Sequence, residues 1–142
     1  MSTTYEELMS RERSGILHFG GARMVLLDVE AGFWGLRRQL EALVGPRLTD
    51  AVLQQAGVNG GASFARAFAG NDASHNAMQA LRDCIAAYEA AGFGRFEVDR
   101  VEWPLGRVLI RAHDAFEAWI TAQHAGHHES SHCAYTAGVL VG

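Results

Sequence analysis

Ala115-Phe116-Glu117-Ala118, a glycine at position 126, and then His132-Cys133-Ala134-Tyr135-Thr136-Ala137-Gly138 frame the most informative part of this sequence. The first run sits in a helical segment, Asp114 to Ala125, that Gly126 closes; Ser130 or Ser131 can cap a further apolar helix beyond it. Glu117, Thr121, His124 and His128 recur at steps of four, three and four residues, so a helix reaching that far would line them along one face. Gly126 interrupts that helix. His124 then falls in its last turn, His127, His128 and His132 in a loop, and Cys133 at the start of the next helix.

A helix end, a loop and a helix start can converge on one metal ion. Zinc takes nitrogen and thiolate ligands in a tetrahedron, and Cys133, His124, His127, His128 and Glu117 supply a mixed set of that kind. A cysteine at a helix N-terminus is also biased toward the thiolate. Against this, the spacing matches no standard zinc motif of paired ligands, and loop histidines are commonly just polar surface residues. Both readings stay open on the residues alone.

Working upstream, Phe96, Val98, Val101 and Trp103 alternate with polar residues but slip phase at Asp99-Arg100, which predicts a bulged strand. Pro104-Leu105-Gly106 turns the chain into a second strand, Arg107 to Arg111. Before it, Met78, Leu81, Ile85 and Tyr88 form the stripe of a helix capped by Asn71 or Asp72 and ended at Gly92. Two shorter helices precede that one, Leu48 to Ala56 stopped by Gly57 and Ala62 to Phe68 following Gly60-Gly61.

Val29, Phe33, Leu36, Leu40 and Leu43 mark an amphipathic helix ended by Gly45-Pro46, and the runs Gly15 to Phe19 and Ala22 to Leu27 flank Gly20-Gly21 as a β-hairpin. The expected fold is α+β, an antiparallel sheet from two hairpins packed with several helices. A single ligand-sensing domain is expected over 1–142, with the N-terminal hairpin and helices over 1–92 and the closing hairpin, metal loop and last helices over 93–142. The almost wholly apolar Ala134 to Val141 suggests that the protein continues beyond this sequence.

Composition narrows the function. Apolar residues make up 49% and charged residues 20%, which fits an ordered globular chain rather than a disordered one. A net charge of −4 with no Lys/Arg cluster argues against direct nucleic-acid binding through this domain. No apolar run reaches the roughly 18 residues a membrane span needs, so a cytoplasmic protein with no membrane contact is expected. Two cysteines are too few for a disulfide framework.

No nucleotide-binding glycine motif occurs, and Ser131-His132-Cys133 has no orienting carboxylate, so an enzyme is not expected. Aromatic residues are a stronger theme. Phe64, Phe68, Phe93, Phe96, Trp103, Trp119 and Tyr135, with Ile110 and His75, are candidates to line a small-molecule pocket. For any one of them a plain core role is the alternative.

Phe116-Glu117-Ala118, the following glycine, Cys133, Tyr135 and Ala137-Gly138 resemble the closing signature of the 4-vinyl-reductase domain family. Gly15-Ile16, Arg23-Met24-Val25-Leu26-Leu27, Leu36-Arg37-Arg38-Gln39-Leu40, Val44-Gly45, Gly57 and Gly61 followed by Ala65-Arg66-Ala67-Phe68 are similar to the N-terminal sensor region of XylR-type regulators. Together the matches span nearly the whole chain. The resemblance implies a ligand-binding fold of the 4-vinyl-reductase and nitric-oxide-signalling kind, usually dimeric, that receives small aromatic effectors and controls attached output domains.

It also implies a structural zinc near the pocket, with Cys133 in the place of the last metal cysteine. At the other metal positions this chain offers histidines where the regulators use cysteines and a glutamate, and the histidine and tryptophan that hold phenol in the phenol sensors have no clear match. The expectation is therefore a sensor domain of a bacterial transcriptional regulator for an apolar or aromatic effector, acting as a homodimer. A protein-interaction or assembly module and a tetrapyrrole-handling protein are the alternatives.

Overall fold

The computed structural model describes residues 4–69, 76–125 and 133–142. A short helix α1 (Tyr5–Leu8) leads into strands β1 (Met9–Arg13), β2 (Ile16–Phe19) and β3 (Ala22–Met24), which form an antiparallel sheet in the order β1-β2-β3. The β2–β3 pair is the hairpin read from the sequence, with Phe19 opposite Ala22 and both turn glycines at positive φ. Its second strand is shorter than expected: β3 ends at Met24, and Val25, Leu26 and Leu27 leave the sheet with 84%, 75% and 59% of their surface exposed.

Asp28 starts the next helical run, its carboxylate accepting the N–H groups of Glu30 and Ala31 at 2.9 and 3.1 Å. The run begins as a π-helical turn (Val29–Phe33) and continues as α2 (Trp34–Val44). The inward face of α2 differs from the simple stripe. Phe33 and Arg37 face inward, while Leu36 and Leu43 of the expected core face are 54% and 79% exposed.

Gly45 alone separates α2 from α3 (Pro46–Ala69), a single helix of 24 residues where two were expected. The glycines read as terminators instead serve packing. Helix α6 (Ala134–Val141) lies directly on α3, and a Cβ at Gly57 would strike the carbonyl of Tyr135, one at Gly61 the carbonyl of Val139, and one at Gly138 the carbonyl of Gln54. Glycines four apart on α3 thus let two backbones meet at a distance no other residue permits. Their cost in helix propensity, about 1 kcal/mol each, is offset by that close packing.

Helix α4 (Ala77–Ala90) is capped by Asn76, whose side chain accepts Met78 N–H at 3.0 Å, rather than by Asn71 or Asp72, which lie outside the described residues. Strands β4 (Arg95–Glu102) and β5 (Arg107–His113) pair antiparallel with a register shift between Val98 and Arg100, where the sequence slips phase. They form a second, two-stranded sheet rather than joining the first. A 3-10 turn, Trp103–Leu105, links them, and α5 (Phe116–Ala125) follows.

The core gathers Phe19 from β2, Phe64 from α3, Ile85, Ala87 and Tyr88 from α4, Phe96 from β4 and Val139 from α6. Both sheets therefore feed one apolar centre.

Candidate functional site

Aromatic rings run through that centre in an unbroken series. Phe68 and Phe64, one helical turn apart on α3, stack at 5.3 Å, and Phe64 meets Tyr88 of α4 at 5.0 Å. Tyr88 lies 5.2 Å from Phe93, which stands edge-on to Phe116 at 5.3 Å and faces Tyr135 of α6 at 6.3 Å. Phe33 closes the series against Phe116 at 5.0 Å and Tyr135 at 6.3 Å. These separations suit edge-to-face and offset contacts, which favour aromatic partners over aliphatic ones of equal size.

Five of the residues singled out from the sequence, Phe64, Phe68, Phe93, Phe96 and Tyr135, are thus at or against the core, with Ile110 packed beside them. Trp103 at the hairpin turn and Trp119 on α5 stand apart, 49% and 45% exposed. His75 lies outside the described residues. Phe19, stacked on Phe64 at 6.2 Å, Phe33 and Tyr88 also belong to the ring series, where periodicity alone marks them as strand or helix-stripe residues.

Two phenols in the series are held neutral. Burial pushes the Tyr88 hydroxyl well above its ordinary range, and burial together with the Glu117 charge raises that of Tyr135. Burial, together with the Asp83 charge, likewise raises the thiol of Cys84, a half-buried residue packed against the core.

Glu117 is 1% exposed and holds the start of α6 from outside the helix. One carboxylate oxygen accepts Thr136 N–H at 2.5 Å and the Thr136 hydroxyl at 2.6 Å, and the other accepts Tyr135 N–H at 3.2 Å. Burial raises its pKa, opposed by the Thr136 and Tyr135 hydrogen bonds and by the Arg37 charge. The carboxylate does for α6 what an N-cap side chain does within its own helix.

Of the zinc set expected from the sequence, the described residues hold Glu117, His124 and Cys133, each placed in a separate role. Both Glu117 oxygens serve α6, and the His124 ring stacks on Trp34 at 4.7 Å with a 9° interplanar angle. Cys133 occupies the N-cap position of α6, half-buried. Among the described residues no three His, Cys, Asp or Glu side chains gather where they could hold a metal ion. His127 and His128 lie outside them.

Arg37 is the buried cation nearest this region. It is 3% exposed, donating from Nε to Glu41 at 3.2 Å and from Nη2 to Asp50 at 2.7 Å, which ties α2 to α3. Arg38 shares Glu41 at 2.7 Å.

Residues 5–103 match the family described as activator of aromatic catabolism. The chain belongs to that family. The match stops at Trp103, so it does not extend to residues 115–138, on which the 4-vinyl-reductase resemblance rests. Among solved structures this activator-family chain is similar to the phenol-responsive sensory domain of the transcription activator PoxR, crystallised with phenol. The two share 17% identity and a TM-score of 0.73 over 96% of this chain and 74% of the other, which establishes a common fold. No curated protein sequence matches significantly. Among the described residues, no helix is long and apolar enough to cross a membrane.

Proposed function

We propose that this chain is the effector-sensing domain of a transcription activator and that a small aromatic molecule binds among the rings of Phe33, Phe64, Tyr88, Phe93, Phe116 and Tyr135. The observation that carries the reading is the family match over residues 5–103, an activator family of aromatic catabolism. The ring series supports it, because aromatic walls with few polar groups select small aromatic ligands. Phenol as the ligand of the similar PoxR domain points the same way. Binding would favour one arrangement of α6 over another only through contacts that differ between the two, and Tyr135 at its start is the residue placed to make them.

Calorimetric titration against benzene, toluene, phenol and the non-aromatic cyclohexane tests the reading. Saturable binding of the aromatics with little for cyclohexane is expected, and no heat from any aromatic would overturn it.

The homodimer belongs to the same reading. Val25, Leu26, Leu27, Leu36 and Leu43 are exposed apolar side chains in one copy, which a second copy would cover. Light scattering across a concentration series is expected to give twice the chain mass; a monomer at every concentration would contradict it.

A further inference from the structure

A buried guanidinium is tolerated when its N–H groups are matched by acceptors. Arg37 meets that condition at Nε and Nη2, through Glu41 and Asp50. Its Nη1 does not: among the described residues it is the one buried side-chain nitrogen or oxygen with no hydrogen-bond partner. Phe33, four residues earlier on the same helical face, touches the rings of Phe116 and Tyr135. Glu117, next to Phe116 and bonded to Tyr135, is close enough to feel the Arg37 charge. The orphan N–H thus belongs to a residue one helical turn from Phe33 of the ring series and within electrostatic reach of Glu117.

We infer that Arg37 is a specificity residue of the effector site, its Nη1–H donating to an acceptor oxygen carried by the aromatic effector. The inference rests on the aromatic-sensor reading and narrows it. The oxygen belongs to a neutral group, a ring hydroxyl or carbonyl. Arg38 offsets part of Glu41, which leaves Asp50 and Glu117 against the single charge of Arg37, so a carboxylate on the effector would be added to a site already rich in them. A site built this way separates phenol from toluene, which have nearly the same shape, because toluene leaves the buried donor unmatched.

The experiment is calorimetric titration of the wild-type chain and Arg37→Lys with phenol, toluene and benzoate. Wild type is expected to bind phenol roughly tenfold or more tighter than toluene, with benzoate weakest. Arg37→Lys, which keeps the charge for Asp50 but loses the fork, brings phenol down to the level of toluene and leaves toluene unchanged. Equal binding of phenol and toluene by wild type, or a preference that survives in a folded Arg37→Lys, overturns this inference and leaves the sensor reading standing. Failure of all three ligands overturns both.

Should Arg37→Lys fail to fold, a crystal structure of the wild-type chain with 4-bromophenol decides. The phenol oxygen within hydrogen-bond reach of Nη1 supports the assignment. An ordered water alone on Nη1, with the hydroxyl elsewhere, overturns it.

Discussion

Replacing Gly138 by alanine is expected to destabilise the protein even though alanine is the better helix former. In a helix interior the exchange alone stabilises by about 1 kcal/mol. At Gly138, however, the new Cβ points into the α3 backbone, onto the Gln54 carbonyl and within 2.9 Å of Val58 N. Backbone atoms in mid-helix cannot swing aside as a side chain can, so α6 has to move away from α3.

A gap of about 1 Å forfeits up to half of the dispersion attraction across it. Val139, 5% exposed, lies in that interface. Overpacking of this kind costs about 3 kcal/mol at its upper end, which leaves a net loss of about 2 kcal/mol after the propensity gain. Gly35 on α2 is the control, because its Cβ would meet nothing within 4 Å; Gly35→Ala is expected to stabilise by about 1 kcal/mol. Urea denaturation with an unchanged m-value measures both. If the two variants shift the midpoint in the same direction, the close-packing argument for α3 and α6 is wrong.

Glu117→Ala strands two buried N–H groups and a hydroxyl and is expected to cost about 3 kcal/mol, read by urea denaturation. Because burial raises the folded pKa of Glu117, the folded state holds that proton more tightly than the unfolded one. Its contribution to stability is therefore largest below the ordinary carboxylate range and declines as pH rises through the raised value. Glu117→Gln should remove that part of the slope in melts taken across pH, and an unchanged slope would contradict the assignment. Asp114 sits at φ 53°; Asp114→Gly is expected to change stability by no more than about 0.5 kcal/mol as relieved strain offsets lost side-chain contacts, whereas Asp114→Val should cost about 2 kcal/mol. Phe33→Ala, which removes a ring touching both Phe116 and Tyr135, is expected to cost about 3 kcal/mol and to abolish aromatic binding in calorimetry.

Where an element's reason is local, the sequence was enough to find it. The Gly20-Gly21 hairpin, the phase slip at Asp99-Arg100 and the apolar stripe of α4 each follow from turn chemistry or periodicity within a few residues. Long-range causes were not legible. Gly57, Gly60 and Gly61 look like helix breakers until α6, nearly eighty residues later, is known to lie on Gly57 and Gly61. Leu36 and Leu43 look like core, but α2 turns Arg37 inward to Asp50 of α3 and leaves both leucines exposed. Glu117 reads equally well as a metal ligand or a cap, and only the approach of Thr136 shows the second role. The aromatic theme was visible as composition, but membership of the series depended on packing, which brought in Phe33 and Tyr88 and left Trp103 and Trp119 outside.

The most direct measurement of the central claim is an isotope-filtered nuclear Overhauser experiment on the labelled chain with unlabelled phenol or toluene. Contacts from the ligand ring to the side chains of Phe33, Phe93, Phe116 and Tyr135 are the expected result. Contacts confined to the exposed Trp103 and Trp119, or none at saturating ligand, would contradict the account.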